Sequence, residues 1–274
     1  MTYLAFEWLK MRKRWMARVI ILLTLGLMVL AFWGEATRVS DQVNLLPPRA
    51  WLTALILGAF FAPFFWPVLG GSWAGNEFSW GTVRLILTHR PSRMARPIMG
   101  LIMLAITVGI ALILALVVST IAGAVIAGVT GHSAFVTSAL SGTFFAVLVK
   151  GFLAAWYVSL FYILLAYCAG TFFQSTAVGI GIGIGSTLAE LIVRGIFDGL
   201  GGWWKIVGDH FPAVYTQDLA TRVVNSQLTT SAGGVGQVAP GTPSAGQSVI
   251  AIAIYMAIFL ALTLWVVRVR DVTA

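Results

Sequence analysis

The sequence predicts an all-α polytopic membrane protein with six transmembrane helices, and three observations carry that prediction. Of the 274 residues, 59% are hydrophobic and only 9% are charged, with a mean hydropathy of +0.94. Too few polar side chains exist to cover a soluble surface of that size. Six apolar runs approach or exceed the ~20 residues that cross a bilayer. The basic residues sit beside those runs, as the positive-inside bias requires. The single cysteine, Cys168, lies inside an apolar run, so no disulfide framework, CxxC pair or thiolate metal cage is available. Anionic lipid accounts for the net charge of +8 more simply than nucleic acid does, and no nucleic-acid partner is expected.

Residues 3–18, YLAFEWLKMRKRWMAR, place Leu4, Trp8, Met11 and Trp15 at i, i+4, i+7 and i+11. Lys10, Arg14 and Arg18 hold another face, with Lys13 nearby. This spacing predicts an amphipathic helix in the headgroup region, tryptophans toward the acyl boundary and cations toward phosphate. The competing reading is a signal peptide, with Val19–Trp33 as its apolar stretch and Gly34–Ala36 as its small-residue site. A signal peptide has no need of an ordered amphipathic helix in front of that stretch. The spans follow at Ala17–Gly34, Ala50–Gly71, Ile98–Gly128, Phe144–Phe172, Thr176–Gly195 and Ser248–Val267. A tight turn around Phe173–Ser175 separates the fourth from the fifth.

Assigning loops to alternate sides sets the orientation. The side of the N-terminus collects Lys10, Arg12, Lys13, Arg14, Arg18, Arg84, Arg90, Arg93, Arg96, Arg268 and Arg270. The other side holds Arg38, Arg49, Lys150, Arg194, Lys205 and Arg222, offset in part by Asp198, Asp209 and Asp218. Both termini and the 73–97 loop are therefore expected in the cytoplasm of a multi-pass cell-membrane protein. The external segment, 194–247, begins with aromatic and glycine-rich runs too short to span, as interfacial or re-entrant helices would be, and ends in a Gly/Ser/Thr/Pro-rich loop.

Enzyme motifs are missing: the chain contains no GxxxxGK[ST], GxSxG, HExxH or EF-hand string. His89, His132 and His210 fall in three separate loops, which makes a shared metal site improbable. In the fifth span, Gly179 and Gly183, and Gly181 and Gly185, stand at GxxxG spacing and admit a close helix neighbour, within this chain or in another subunit. Glu190 lies about 14 residues into that span, ~21 Å along the axis. A charge near the bilayer centre costs ~2.5–3.5 kcal/mol. Arg194, at i+4, is the expected partner, with substrate contact or proton movement as the alternative role.

The most specific stretch is 73–97, WAGNEFSWGTVRLILTHRPSRMARP, a cationic interruption between two apolar runs. A helix over 76–88 would align Glu77, Gly81, Arg84 and Thr88 on one face and Trp80, Val83 and Leu87 on another. Asn76 is placed to cap its start and Pro91 to end it. A solvated loop held by its cations is the plainer reading.

Glu77-Phe78-Ser79-Trp80-Gly81-Thr82-Val83-Arg84, the Leu85–Leu87 step and Pro91-Ser92-Arg93 together resemble the coupling-helix loop of type-2 ATP-binding-cassette (ABC) permeases. Residues 6–15, FEWLKMRKRW, resemble the elbow helix of that family, and the six-span layout is similar along the whole chain. The resemblance implies one permease domain over 1–274, with an elbow at 1–18 and a coupling loop at 73–97. It implies no ATPase of the chain's own, no cofactor bound by the chain, and ATP and Mg held by separate ABC ATPase subunits. A second copy or a homologous permease would complete a twelve-span unit, and transport would run outward. Glu77, Phe78, Trp80, Gly81, Thr82, Arg84, Leu87 and Arg93 would then receive the ATPase movement, together with Trp8, Lys10, Arg14 and Trp15 of the elbow. Phe78 and Trp80 make this loop unusually aromatic for the family. An ion-coupled transporter using Glu190, or a membrane scaffold that moves nothing, stays open as an alternative.

Overall fold

The computed structural model describes residues 3–38, 42–79, 94–131, 140–228 and 243–269. Every regular element among them is helical. The order is α1 (Tyr3–Lys13), α2 (Trp15–Arg38), a 3-10 turn (Gln42–Leu45), α3 (Arg49–Ser79), α4 (Ala95–Thr130), α5 (Gly142–Phe173) and α6 (Thr176–Leu200). Three short helices follow, α7 (Gly202–Gly208), α8 (Pro212–Gln217) and α9 (Leu219–Val224), then a 3-10 turn (Asn225–Gln227) and α10 (Ala245–Val269). Six of these, α2 to α6 and α10, are long and apolar enough to cross a membrane.

Local chemistry sets the helix ends. The Ser141 hydroxyl accepts from the Phe144 N–H at the start of α5, and Ser175 accepts from Val178 at the start of α6. Gln174 takes the left-handed conformation between them, which produces the expected tight turn. Gly131, also left-handed, closes α4. The bundle is layered around α3 and α5, which share the most extensive helix interface. In the apolar windows of these two spans 72% and 67% of residues are buried, against 22% for α2 and 17% each for α6 and α10. In a bilayer such outer faces meet lipid tails at no hydrophobic cost, so exposure is tolerated there.

Three expectations need correction. The second span continues as helix to Ser79, eight residues past Gly71, so Trp73–Asn76 belong to the span and not to a loop. Asn76 does not cap a new helix: it sits inside α3, where its Oδ1 accepts from the Thr176 hydroxyl at 2.9 Å. Close packing of that turn against the start of α6 keeps it helical. The N-terminal amphipathic helix ends at Lys13, and Trp15 opens the first span, so the bend falls at Arg14 and not after Arg18. The Arg18 guanidinium donates to the Arg12 carbonyl, one of the acceptors that the end of α1 leaves without an intrahelical partner. Finally, α6 runs to Leu200, five residues past the expected end at Gly195, so residues 196–200 leave the external segment and join the span.

Candidate functional site

At the end of the bundle that carries the N-terminus, α1 is fastened to α3 through a buried polar cluster centred on Trp73. Glu7 is only 2% exposed, and its Oε2 accepts from the Trp73 indole N–H at 3.0 Å. Lys10 Nζ lies 3.4 Å from the same oxygen and 4.3 Å from the Trp73 ring centre. The Arg14 guanidinium carbon lies 4.5 Å from that centre. A carboxylate is thus buried with a charge-assisted donor and a cation, while two cations use the ring face. Gly100 of α4 completes the pocket: a Cβ there would lie 3.1 Å from the Trp73 Nε1. Trp73 therefore joins α1, α3 and α4 in the turns just before residue 77.

This arrangement changes the reading of α1. Lys10 and Arg14 turn inward to Glu7 and Trp73, because a buried anion and a ring face attract them more strongly than exposed phosphate would. Trp8 and Trp15, expected at the acyl boundary, are 49% and 75% exposed on the outer side. Glu7 and Trp73 form a buried polar pair that sequence reasoning missed. The signal was present, since Glu7 stands four residues before Met11 on the face that Met11 buries, and a carboxylate on a buried stripe requires a partner.

Beside this cluster α3 and α6 meet backbone to backbone. A Cβ on Gly75 would lie 2.3 Å from the Thr176 nitrogen and one on Gly71 2.6 Å from the Ile180 nitrogen, while one on Gly179 would lie 2.8 Å from the Gly170 Cα of α5. Gly183 faces Pro67 and Ala166 in the same way, whereas a Cβ on Gly181 or Gly185 would meet nothing within 4 Å among the described residues. Of the two GxxxG pairs, one packs inside this chain and the other faces away from it.

Deeper in the bundle, side chains from three spans converge on residues 210–216. Glu190 of α6 accepts from the Ala213 N–H at 2.7 Å, through Oε2. Tyr162 of α5 shares a 2.8 Å hydrogen bond with Thr216, and Tyr255 of α10 donates to the His210 carbonyl at 2.6 Å. Ala213, Val214, Tyr215 and Thr216 are buried, so α8 is a short plug pinned between the spans. Glu190 does not pair with Arg194. It satisfies an N–H in the first turn of α8, which has no intrahelical acceptor, and Arg194 reaches Asp209 at 3.9 Å.

The expected coupling residues are not brought into view. Glu77 and Phe78 lie in the last turn of α3 with side chains outside the described atoms, and Trp80, Gly81, Thr82, Arg84, Leu87 and Arg93 lie outside the described residues. Among the described residues no group of three or more His, Cys, Asp or Glu could hold a metal ion. An apolar cavity of about 340 Å³ between α2 and α4 is lined by Phe32, Trp33, Val118, Ile126 and other apolar side chains, with only the Trp33 indole carrying a polar atom.

Six membrane-length helices, four of them around the buried α3–α5 pair, define a multi-pass α-helical membrane protein. Residues 37–273 match a family described as "Protein of unknown function (DUF2705)", and the chain belongs to that family. Comparison with curated proteins gives no match.

Proposed function

We propose that this chain is the permease subunit of an ATP-driven ABC exporter, forming the path for a hydrophobic or amphipathic substrate and coupled to separate ATPase subunits that bind ATP and Mg. One observation carries the reading: the N-terminal surface helix is locked through Glu7, Lys10 and Arg14 onto Trp73, one turn before the Glu77–Leu87 stretch begins. A chain that draws its energy from outside needs such a unit at one membrane surface, where a push on α1 or on the 77–93 stretch is delivered to α3. The cytoplasmic assignment of that surface follows from its cations. The outward Gly181 and Gly185, and the low burial of α6 and α10, suit a second permease copy packed against them.

The test is purification with a stoichiometric ATPase, followed by charge reversal or proline at Glu77, Gly81 and Arg84. Each variant is expected to insert normally and to lose transport while ATP hydrolysis continues. Normal coupling in all three removes the coupling-helix assignment. A second reading, an ion-coupled transporter, has one observation in its favour: Glu190 lies within a span without a basic side chain at ion-pair distance among the described residues. Transport by the isolated chain in ATP-free proteoliposomes would select it.

A further inference from the structure

We propose that the apolar cavity between α2 and α4 is a binding site for one acyl chain of a bilayer phospholipid. The inference is independent of the permease reading, since it concerns a resident lipid and not the cargo.

The cavity has a floor and a mouth. Phe32 and Ile126, 1% and 3% exposed, close its inner side, while Trp33, Ile121 and Val125, each more than half exposed, stand at its rim. Ala122, the smallest of the lining residues, leaves the space open. The adjoining part of α4 is packed tightly: a Cβ on Gly123 would lie 2.6 Å from the Leu45 carbonyl oxygen and 2.7 Å from the Pro47 ring. The space is thus a local feature of the α2 side of α4 and not a general looseness of the bundle.

Chemistry, direction and depth select the occupant. The walls carry no polar side-chain atom beyond the Trp33 indole, so water, which needs several polar partners, has little to hold it. Left empty, the space would forfeit the dispersion contacts of the atoms that line it. An apolar body is therefore required. Along α4 the cavity runs from Val118 to Ile126, ~12 Å, and along α2 from Val29 to Trp33, so its long axis follows the spans and hence the lipid tails. A neighbouring helix, ~10 Å across, would displace roughly 900 Å³ over that ~12 Å and does not fit. Depth points the same way. Trp15 opens α2 and Trp33 lies 18 residues on, ~27 Å if straight, close to the ~30 Å of the hydrocarbon layer. Both rings are exposed, as tryptophans at the two membrane boundaries are. The cavity consequently opens into the hydrocarbon of the leaflet away from α1, beside the headgroup boundary, where lipid tails pass its mouth.

The test uses the full chain in phosphatidylcholine nanodiscs containing a trace of phosphatidylcholine with a photoactivatable diazirine in the upper half of one tail. After illumination, adducts are located by peptide mass spectrometry. Lipid that only surrounds the bundle reaches outer side chains such as Ile106 and Ile110 of α4, both 41% exposed, and not the floor. A resident tail is expected to label Phe32 or Ile126 at least as strongly as Ile106 and Ile110. Ala122→Phe fills the space and should cut floor labelling about tenfold or more, as excluding two methylene groups would. Unchanged labelling of Ile106 and Ile110 confirms that the variant is inserted. Ala122→Leu, a milder change, should cut floor labelling about threefold and replaces the phenylalanine variant where that one fails to insert. Adducts on the outer residues alone, or floor labelling unchanged in an inserted variant, overturn the site. So does a disulfide between two copies of Trp33→Cys in a Cys168→Ala background, which would put a second chain over the mouth.

Discussion

Breaking the bond between Glu7 and Trp73 should uncouple α1 from α3, and its size follows from the geometry. Trp73→Phe removes the indole N–H that reaches the 2%-exposed Glu7 at 3.0 Å. A hydrogen bond to a charged acceptor contributes about 1.5–3 kcal/mol. The smaller ring also weakens the contacts with Lys10 and Arg14, about 0.5–1 kcal/mol more. The total expected loss is about 2–4 kcal/mol. Glu7→Gln keeps an acceptor for the indole and removes the ion pair with Lys10, so the remaining bond is of the neutral kind, about 0.5–1.5 kcal/mol. Reversible unfolding of the full chain in mixed micelles titrated with SDS, followed by far-UV circular dichroism, measures both variants and the double variant. The cycle should give a coupling energy of about 1–1.5 kcal/mol, the difference between charged and neutral bonds. Additivity within about 0.5 kcal/mol would refute direct contact between the two side chains.

Gly75→Leu should destabilise the same unfolding transition by about 3 kcal/mol or more, since its Cβ meets the Thr176 backbone at 2.3 Å. Gly181→Ala should be neutral or stabilising by up to about 1 kcal/mol in detergent-solubilised monomer, because the new methyl meets nothing and helix propensity improves. Glu190→Leu should free the α8 plug, raising amide hydrogen exchange across 210–217 at a cost of about 1–3 kcal/mol, while Glu190→Gln leaves that exchange unchanged. On the permease reading, a short bis-thiol cross-link between Asn76→Cys and Thr176→Cys, in a Cys168→Ala background, should leave the proposed coupled ATPase activity intact. Loss of activity that reduction restores would show that α3 and α6 slide past each other.

The six spans were legible because nearly every residue within them is apolar, whatever it packs against. Their ends were not, for a physical reason seen at Asn76. A polar residue ends a span in a hydropathy reading, yet within the bundle Asn76 finds Thr176, so the helix continues through it; Arg194 in turn finds Asp209, and α6 runs on to Leu200. The glycine repeat announced close packing, but period alone could not say that Gly179 and Gly183 face α5 and Pro67 while Gly181 and Gly185 face outward. Glu190 stood out as an anomaly of depth. Its partner did not, because an N–H in the first turn of a short helix 23 residues downstream leaves no trace in side-chain chemistry. The Trp73 cluster needs contacts across 66 residues of chain, which helical spacing cannot report.

The two polar clusters lie at different depths in the bundle, yet they are joined by backbone. Trp73 fixes the terminal turns of α3; Gly75, two residues on, sets its backbone against that of Thr176, the first residue of α6, and Asn76 accepts from the Thr176 hydroxyl. From Thr176 the α6 helix runs 25 residues, ~37 Å if straight, and carries Glu190, which holds the start of α8. Helices in such contact cannot slide by fractions of a turn without separating, because interlocked surfaces have discrete rather than graded arrangements. A displacement at α1 or at the 77–93 stretch would therefore reach the α8 plug through one rigid crossing and one helix. The α2 and α4 pair has no equivalent backbone crossing with α6. The stiffness of the α3–α6 contact, rather than any polar relay through the membrane, is what would link the two clusters.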